Sequence, residues 1–108
     1  MALENVHVVD AVGTDTITGV VVLTLVDAWD WRDERTHLAA LQAKLNAYFE
    51  FVESGQLEEN YPEARDRPRR LEVVTKHPVA AAGQRLLDQA AIVSLDGLKM
   101  EVVSRHHP

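Results

Sequence analysis

Apolar residues along this chain follow two rhythms, one of continuous or alternating positions and one of every third or fourth position. Near the start, NVHVVDAV at 5–12 groups Val6, Val8 and Val9 in a short extended run. GTDT at 13–16 follows as a turn, where Gly frees the backbone and Asp and Thr bond to nearby amides. ITGVVVLTLV at 17–26 is rich in β-branched residues and apolar on both faces, which predicts a strand inside a sheet.

The rhythm then changes. From Asp33 to Glu53, residues Leu38, Leu41, Leu45, Tyr48, Phe49 and Val52 recur at helical spacing and form one stripe. Asp33 suits the N-cap, Glu34 complements the helix dipole, and Gly55 can adopt the left-handed conformation that ends a helix. A second stripe, Ala40, Ala43, Ala47 and Phe51, lies roughly opposite the first. Alanine is the best helix former, so this stripe has a plain explanation. It also suits a close helix contact, with the Ala-rich second helix or with another copy of the chain in a homodimer.

QLEENYPEARDRPRR at 56–70 is polar, holds two prolines and reads as a long connection. LEVVTK at 71–76 predicts a third strand. Pro78 suits the first turn of a second helix over Val79–Val93, with Val79, Ala82, Leu86, Ala90 and Val93 inward. Asp96-Gly97 marks a turn before a last strand at 98–104, and RHHP at the end is expected to fray. The order β-β-α-β-α-β in a single domain over 1–108 predicts an α+β two-layer sandwich, a four-stranded sheet carrying two helices. Strand order stays open.

Composition narrows the function classes. No cysteine is present, which removes disulfides and thiolate chemistry and suits a cytoplasmic protein. The N-terminus lacks a signal-peptide pattern, and the run Val20–Val26 is too short to cross a bilayer, so no membrane partner is expected. The formal net charge of −6 argues against nucleic acid, whose phosphates need clustered Lys and Arg. Arg65, Arg67, Arg69 and Arg70 form the one basic cluster, diluted by Glu63 and Asp66, and read first as a solvated loop.

Catalytic patterns are missing: no phosphate-binding glycine motif, nucleophile elbow or zinc-protease helix occurs. The histidines His7, His37, His77, His106 and His107 are scattered. Neither Asp27, Asp30 and Asp33 nor the terminal His106-His107 makes a persuasive metal site, and no cofactor is implied. His37 stands near Asp30 and Asp33 at the helix start. Trp29 and Trp31 would point to one side of an extended chain, able to seal the core edge or to meet a ligand or partner.

The run from Trp31 through HLAALQAKLNAYFEFVESGQLEENYPEA, with the later LEVVTKH, resembles a family of small, uncharacterised bacterial proteins. Lys44, Leu45, Asn46, Tyr48, Glu53, Ser54, Gly55, Tyr61 and Pro62 carry the resemblance most specifically. It supports the fold, implies no activity, and draws attention to Asn46, a poor helix former expected to bond to the 56–62 backbone. The expected function is a non-enzymatic protein-interaction module, homodimeric or bound to another protein. The alternatives are an immunity-type protein binding a basic toxin, and a small-molecule-binding protein or enzyme. The last would have a pocket near the 56–70 loop lined by Trp31, His37, Asn46 and Tyr61.

Overall fold

The β-branched run becomes strand β2 (Val21–Asp27), on which Val21, Leu23, Leu25 and Asp27 alternate inward with half-buried residues between them. The computed structural model describes Leu3 and residues 8–108, so His7 and the start of the expected first strand, residues 5–7, lie outside the described residues. Within them β1 (Ala11–Thr14) pairs antiparallel with β2. The hairpin turn runs further along than GTDT. Asp15 accepts from the amides of Ile17 and Thr18, and Gly19 turns the chain at φ 77°, so β2 starts four residues later than expected.

Helix α1 (Glu34–Glu53) matches its expected span, with the Asp33 carboxylate accepting from Thr36 N–H and Gly55 at φ 89° beyond its end. The 56–70 connection is more ordered than expected. Past Gly55 the chain forms a short helix α2 (Gln56–Asn60) and a 3-10 turn (Pro62–Ala64) that buries Leu57 and Ala64. Strand β3 (Arg69–Thr75), helix α3 (Ala81–Leu98) and strand β4 (Glu101–His106) complete the chain.

The sheet order is β1-β2-β3-β4, with β2, β3 and β4 mutually parallel. Helices α1 and α3 lie side by side over the face carrying Leu23, Leu25, Leu71 and Val73, each of which is fully buried. Four strands and two main helices in this order make the expected α+β sandwich, since each parallel crossover needs a helix between strands.

Three details at the C-terminal end differ from expectation. Helix α3 runs through Asp96-Gly97, and Lys99, at φ 55°, ends it in place of a turn. Its buried face is Gly83, Leu87, Ala90 and Ser94, rotated from the expected one, because Trp31 packs on Gly83 and Ser94 Oγ donates to Met100 O at 2.8 Å. Leu86 and Val93 turn instead toward α1. The terminal residues Arg105 and His106 belong to β4, and His107 N–H still donates to Thr75 O, so RHHP does not fray at its start.

Candidate functional site

The segment between β2 and α1 builds a closed corner. Asp27 ends β2, His37 sits in the first turn of α1, and both side chains are 1% exposed. His37 Nε2 lies 2.5 Å from Asp27 Oδ2, and Nδ1 lies 2.8 Å from the Asp30 carbonyl. A carbonyl only accepts, so Nδ1 carries a hydrogen, and the Nε2–Oδ2 contact needs another that the pair holds between them. Asp27 Oδ1 accepts from Trp29 N–H at 3.1 Å. The Trp31 ring lies flat on the imidazole, 3.6 Å away at 18°, and Trp29 meets it edge-on at 5.7 Å and 61°. Helix α3 closes the other side of Trp31. A Cβ at Gly83 would come within 2.4 Å of the indole, so the approach depends on glycine.

Both ring nitrogens of His37 are engaged and one face of the ring is covered by indole. General-base catalysis needs a nitrogen within reach of the proton it removes, and this arrangement leaves none. The corner holds β2, α1 and α3 together. Outside it, Trp29, Asp30, Thr36 and His77 border an open cleft of about 410 Å3. Its carboxylates have local partners: Asp30 takes Arg32, and Asp33 takes Thr36, which holds its carboxyl below the ordinary value. No group of three His, Cys, Asp or Glu side chains among the described residues could hold a metal.

A second polar cluster lies under the middle of α1. Lys44 is fully buried, with Nζ 3.5 Å from Asp10 Oδ1 and 5.9 Å from the Tyr48 ring centre. Tyr48 donates to Thr24 O at 2.5 Å and accepts from Asp10 N–H at 2.7 Å, and burial pushes its hydroxyl well above the ordinary tyrosine range. Asp10 Oδ2 accepts from Val26 N–H. These bonds tie the N-terminal segment to both β2 and α1. Lys44 and Tyr48 were singled out by the resemblance, but their pairing with Asp10 was not foreseen. The available signal was spacing, since Lys44 falls between Leu41 and Tyr48 on the core stripe.

The other expected site residues are dispersed. Asn46 is exposed and borders the α1–α3 groove, of about 180 Å3, with Gln42, Phe49, Leu86, Gln89 and Val93. It makes no bond to the 56–62 segment, whose backbone is satisfied within α2 and its flanking turn. Tyr61 is half-buried at the end of α2. Asn46 is nine residues from His37, about 13 Å along the helix. The cleft beside 56–70 is lined by Glu58, Asp66, Arg67, Arg69 and Lys99, none of which belongs to the four expected there. Ala40 and Phe51 pack against the molecule's own core, and Ala43 and Ala47 are half-buried. Helix α3 meets α1 on the opposite flank, through Leu45 and Phe49, not on the alanine stripe.

One surface has the reverse character. Strand β4 has no neighbour on its outer side among the described residues. Because His107 N–H points inward to Thr75 O, alternation aims the backbone groups of Val102 and Ser104 outward. On helix α3, Leu95 lies on the flank turned away from α1 and is 60% exposed, while Ile92, 71% exposed, points away from the sheet. Charges flank the edge at Glu101 and Arg105.

The architecture defines a small α+β domain with a mixed four-stranded sheet and two packed helices, and among the described residues no helix is long and apolar enough to cross a membrane. The chain belongs to a family of unknown function, DUF6572, whose model matches residues 1–106. No curated protein and no solved structure matches it.

Proposed function

We propose that this protein is a non-enzymatic interaction module whose first partner is a second copy of itself, joined edge to edge through β4. The observation that carries this is the self-complementarity of the edge EVVSRH beneath an exposed apolar helix flank. An antiparallel pairing about Val103 sets Val102 opposite Ser104 of the second copy, so their outward groups exchange ladder bonds. The same register places Glu101 opposite Arg105 of the second copy and Val103 opposite its twin. These are non-hydrogen-bonded positions, where side chains approach most closely. Moving the axis to Val102 would oppose Lys99 and Arg105, and like charges so placed are unfavourable. The two α3 flanks nearest the edge then approach across the twofold and cover Leu95. Such isologous contacts are the commonest way soluble chains pair.

Sedimentation equilibrium tests the pairing. Wild type is expected to be dimeric at high micromolar concentration. Glu101→Arg should give a monomer, and the double variant Glu101→Arg, Arg105→Glu should restore the dimer. A wild type that stays monomeric, or a double variant that does not recover, overturns the proposal.

A further inference from the structure

The basic cluster at 65–70 keeps Arg65 and Arg67 in the exposed loop expected of it and places Arg69 and Arg70 at the start of β3. Arg67 and Arg69, together with Lys99 from the cap of α3, line an open cleft of about 460 Å3 at the amino ends of β3 and β4. We infer that this cleft is an oxyanion site, built for the phosphate group of a small molecule.

Three observations support the assignment. The first is charge. Glu58 and Asp66 also line the cleft, leaving three cations against two carboxylates in a chain of net charge −6. Glu58 is engaged with Arg69 Nη2 at 2.7 Å. Arg67 and Lys99 have no carboxylate partner among the described residues and bond only to carbonyls, which leaves their charge uncompensated.

The second is preorganisation. Arg67 is held by the Glu63 carbonyl at 2.8 Å and the Gly19 carbonyl at 3.4 Å, two segments far apart in sequence. Its remaining N–H groups are therefore fixed in place before any ligand arrives, which lowers the entropic cost of binding. Arg69 is held in turn by Glu58 at 2.7 Å and the Ala64 carbonyl at 3.4 Å, so its guanidinium is fixed at the cleft wall.

The third is the backbone. Among the described residues, the two non-glycine residues with positive φ are Asp66 at 64° and Lys99 at 55°, and both line this cleft. Left-handed residues other than glycine are uncommon and tend to gather where a site is shaped. Guanidinium pairs and an ammonium suit a tetrahedral oxyanion, since the planar fork of arginine matches two oxygens at once.

Amide chemical shifts followed by NMR during titration with inorganic phosphate test this, with sodium chloride at matched ionic strength as the control. Saturable shifts are expected at the amides of Asp66, Arg67, Arg69, Leu98 and Lys99 with phosphate and not with chloride. Lys99→Gln should weaken binding about tenfold, the loss of one charge-assisted contact. Asp66→Asn, which keeps a residue that tolerates the left-handed conformation, should tighten it. Arg65→Gln, an exposed neighbour outside the lining, should leave affinity unchanged. Non-saturating shifts, equal shifts with chloride, or equal losses from Arg65→Gln and Lys99→Gln would overturn the site. A phosphate monoester such as glycerol phosphate, run in parallel, is expected to bind at least as tightly. Binding of inorganic phosphate alone would restrict the ligand to the free ion.

Discussion

The corner at the end of β2 and the outer edge of β4 are both rich in polar and aromatic or charged residues, yet their physical states are opposite. At the corner, Asp27, His37 and the Asp30 carbonyl satisfy one another, and two indoles cover the imidazole. At the edge, the backbone groups of Val102 and Ser104 face outward, and Leu95 of the neighbouring helix is exposed. Conspicuous residues therefore mark the part of the molecule that is finished internally, and a plain six-residue strand marks the part left open. Substitutions should separate the two, with corner changes costing stability and edge changes costing association.

The largest stability effect is expected from His37→Ala. It strands Asp27 in a site where the carboxylate is 1% exposed, and breaking a buried pair costs about 3–5 kcal/mol. Urea unfolding of the variant measures it. A loss below about 1 kcal/mol would show that the corner is not the strut described. Gly83→Ala should follow. Its Cβ would come within 2.4 Å of Trp31, so the indole must move. The overpacking cost of about 1–3 kcal/mol outweighs the helix-propensity gain of about 1 kcal/mol. Tryptophan fluorescence should shift together with the unfolding midpoint.

Tyr48 provides a pH test away from both regions. Its folded-state pKa is raised by burial above the ordinary 10.0. Below pH 10 the hydroxyl is protonated in both states and stability is unaffected by it. Above pH 10 the unfolded chain loses the proton while the folded one keeps it. Stability should then fall by about 1.4 kcal/mol per pH unit until the folded pKa is reached. Tyr48→Phe should flatten this slope in urea titrations, and an unchanged slope would contradict the buried hydrogen bonds. Smallest in stability is the edge. Glu101→Arg lies on an exposed strand, so monomer stability should change by less than about 0.5 kcal/mol while the dimer is lost.

Much of the fold could be read from residue spacing, because α1 combines a long amphipathic period with a matching cap and stop. The bounds of α3 and β4 were less readable. Asp-Gly resembles a turn, and nothing local announces that Lys99 will take the left-handed conformation instead. The rotated face of α3 depends on Trp31 reaching Gly83, a contact between residues far apart in sequence. Lys44 was hidden for a related reason, since its buried position depends on Asp10 arriving beside it. Trp29, Trp31 and His37 were brought together by the fold. Asn46 was not, because the 56–60 segment satisfies its own backbone as a helix.

The parallel register of β2 with β3 has a consequence for how the chain reaches this structure. Val21 pairs with Arg69, so no rung of that ladder can form until everything between has been drawn together. The Asp27–His37 bond closes over only ten residues. Loop-closure entropy favours the short connection, so the corner can gather β2 and the start of α1 before the central strands meet. Non-local pairing of this kind slows folding relative to helical bundles. During that interval the unpaired strand edges are exposed to other chains. The charges at Glu101 and Arg105 then act as gatekeepers, tolerating one antiparallel partner and discouraging the rest.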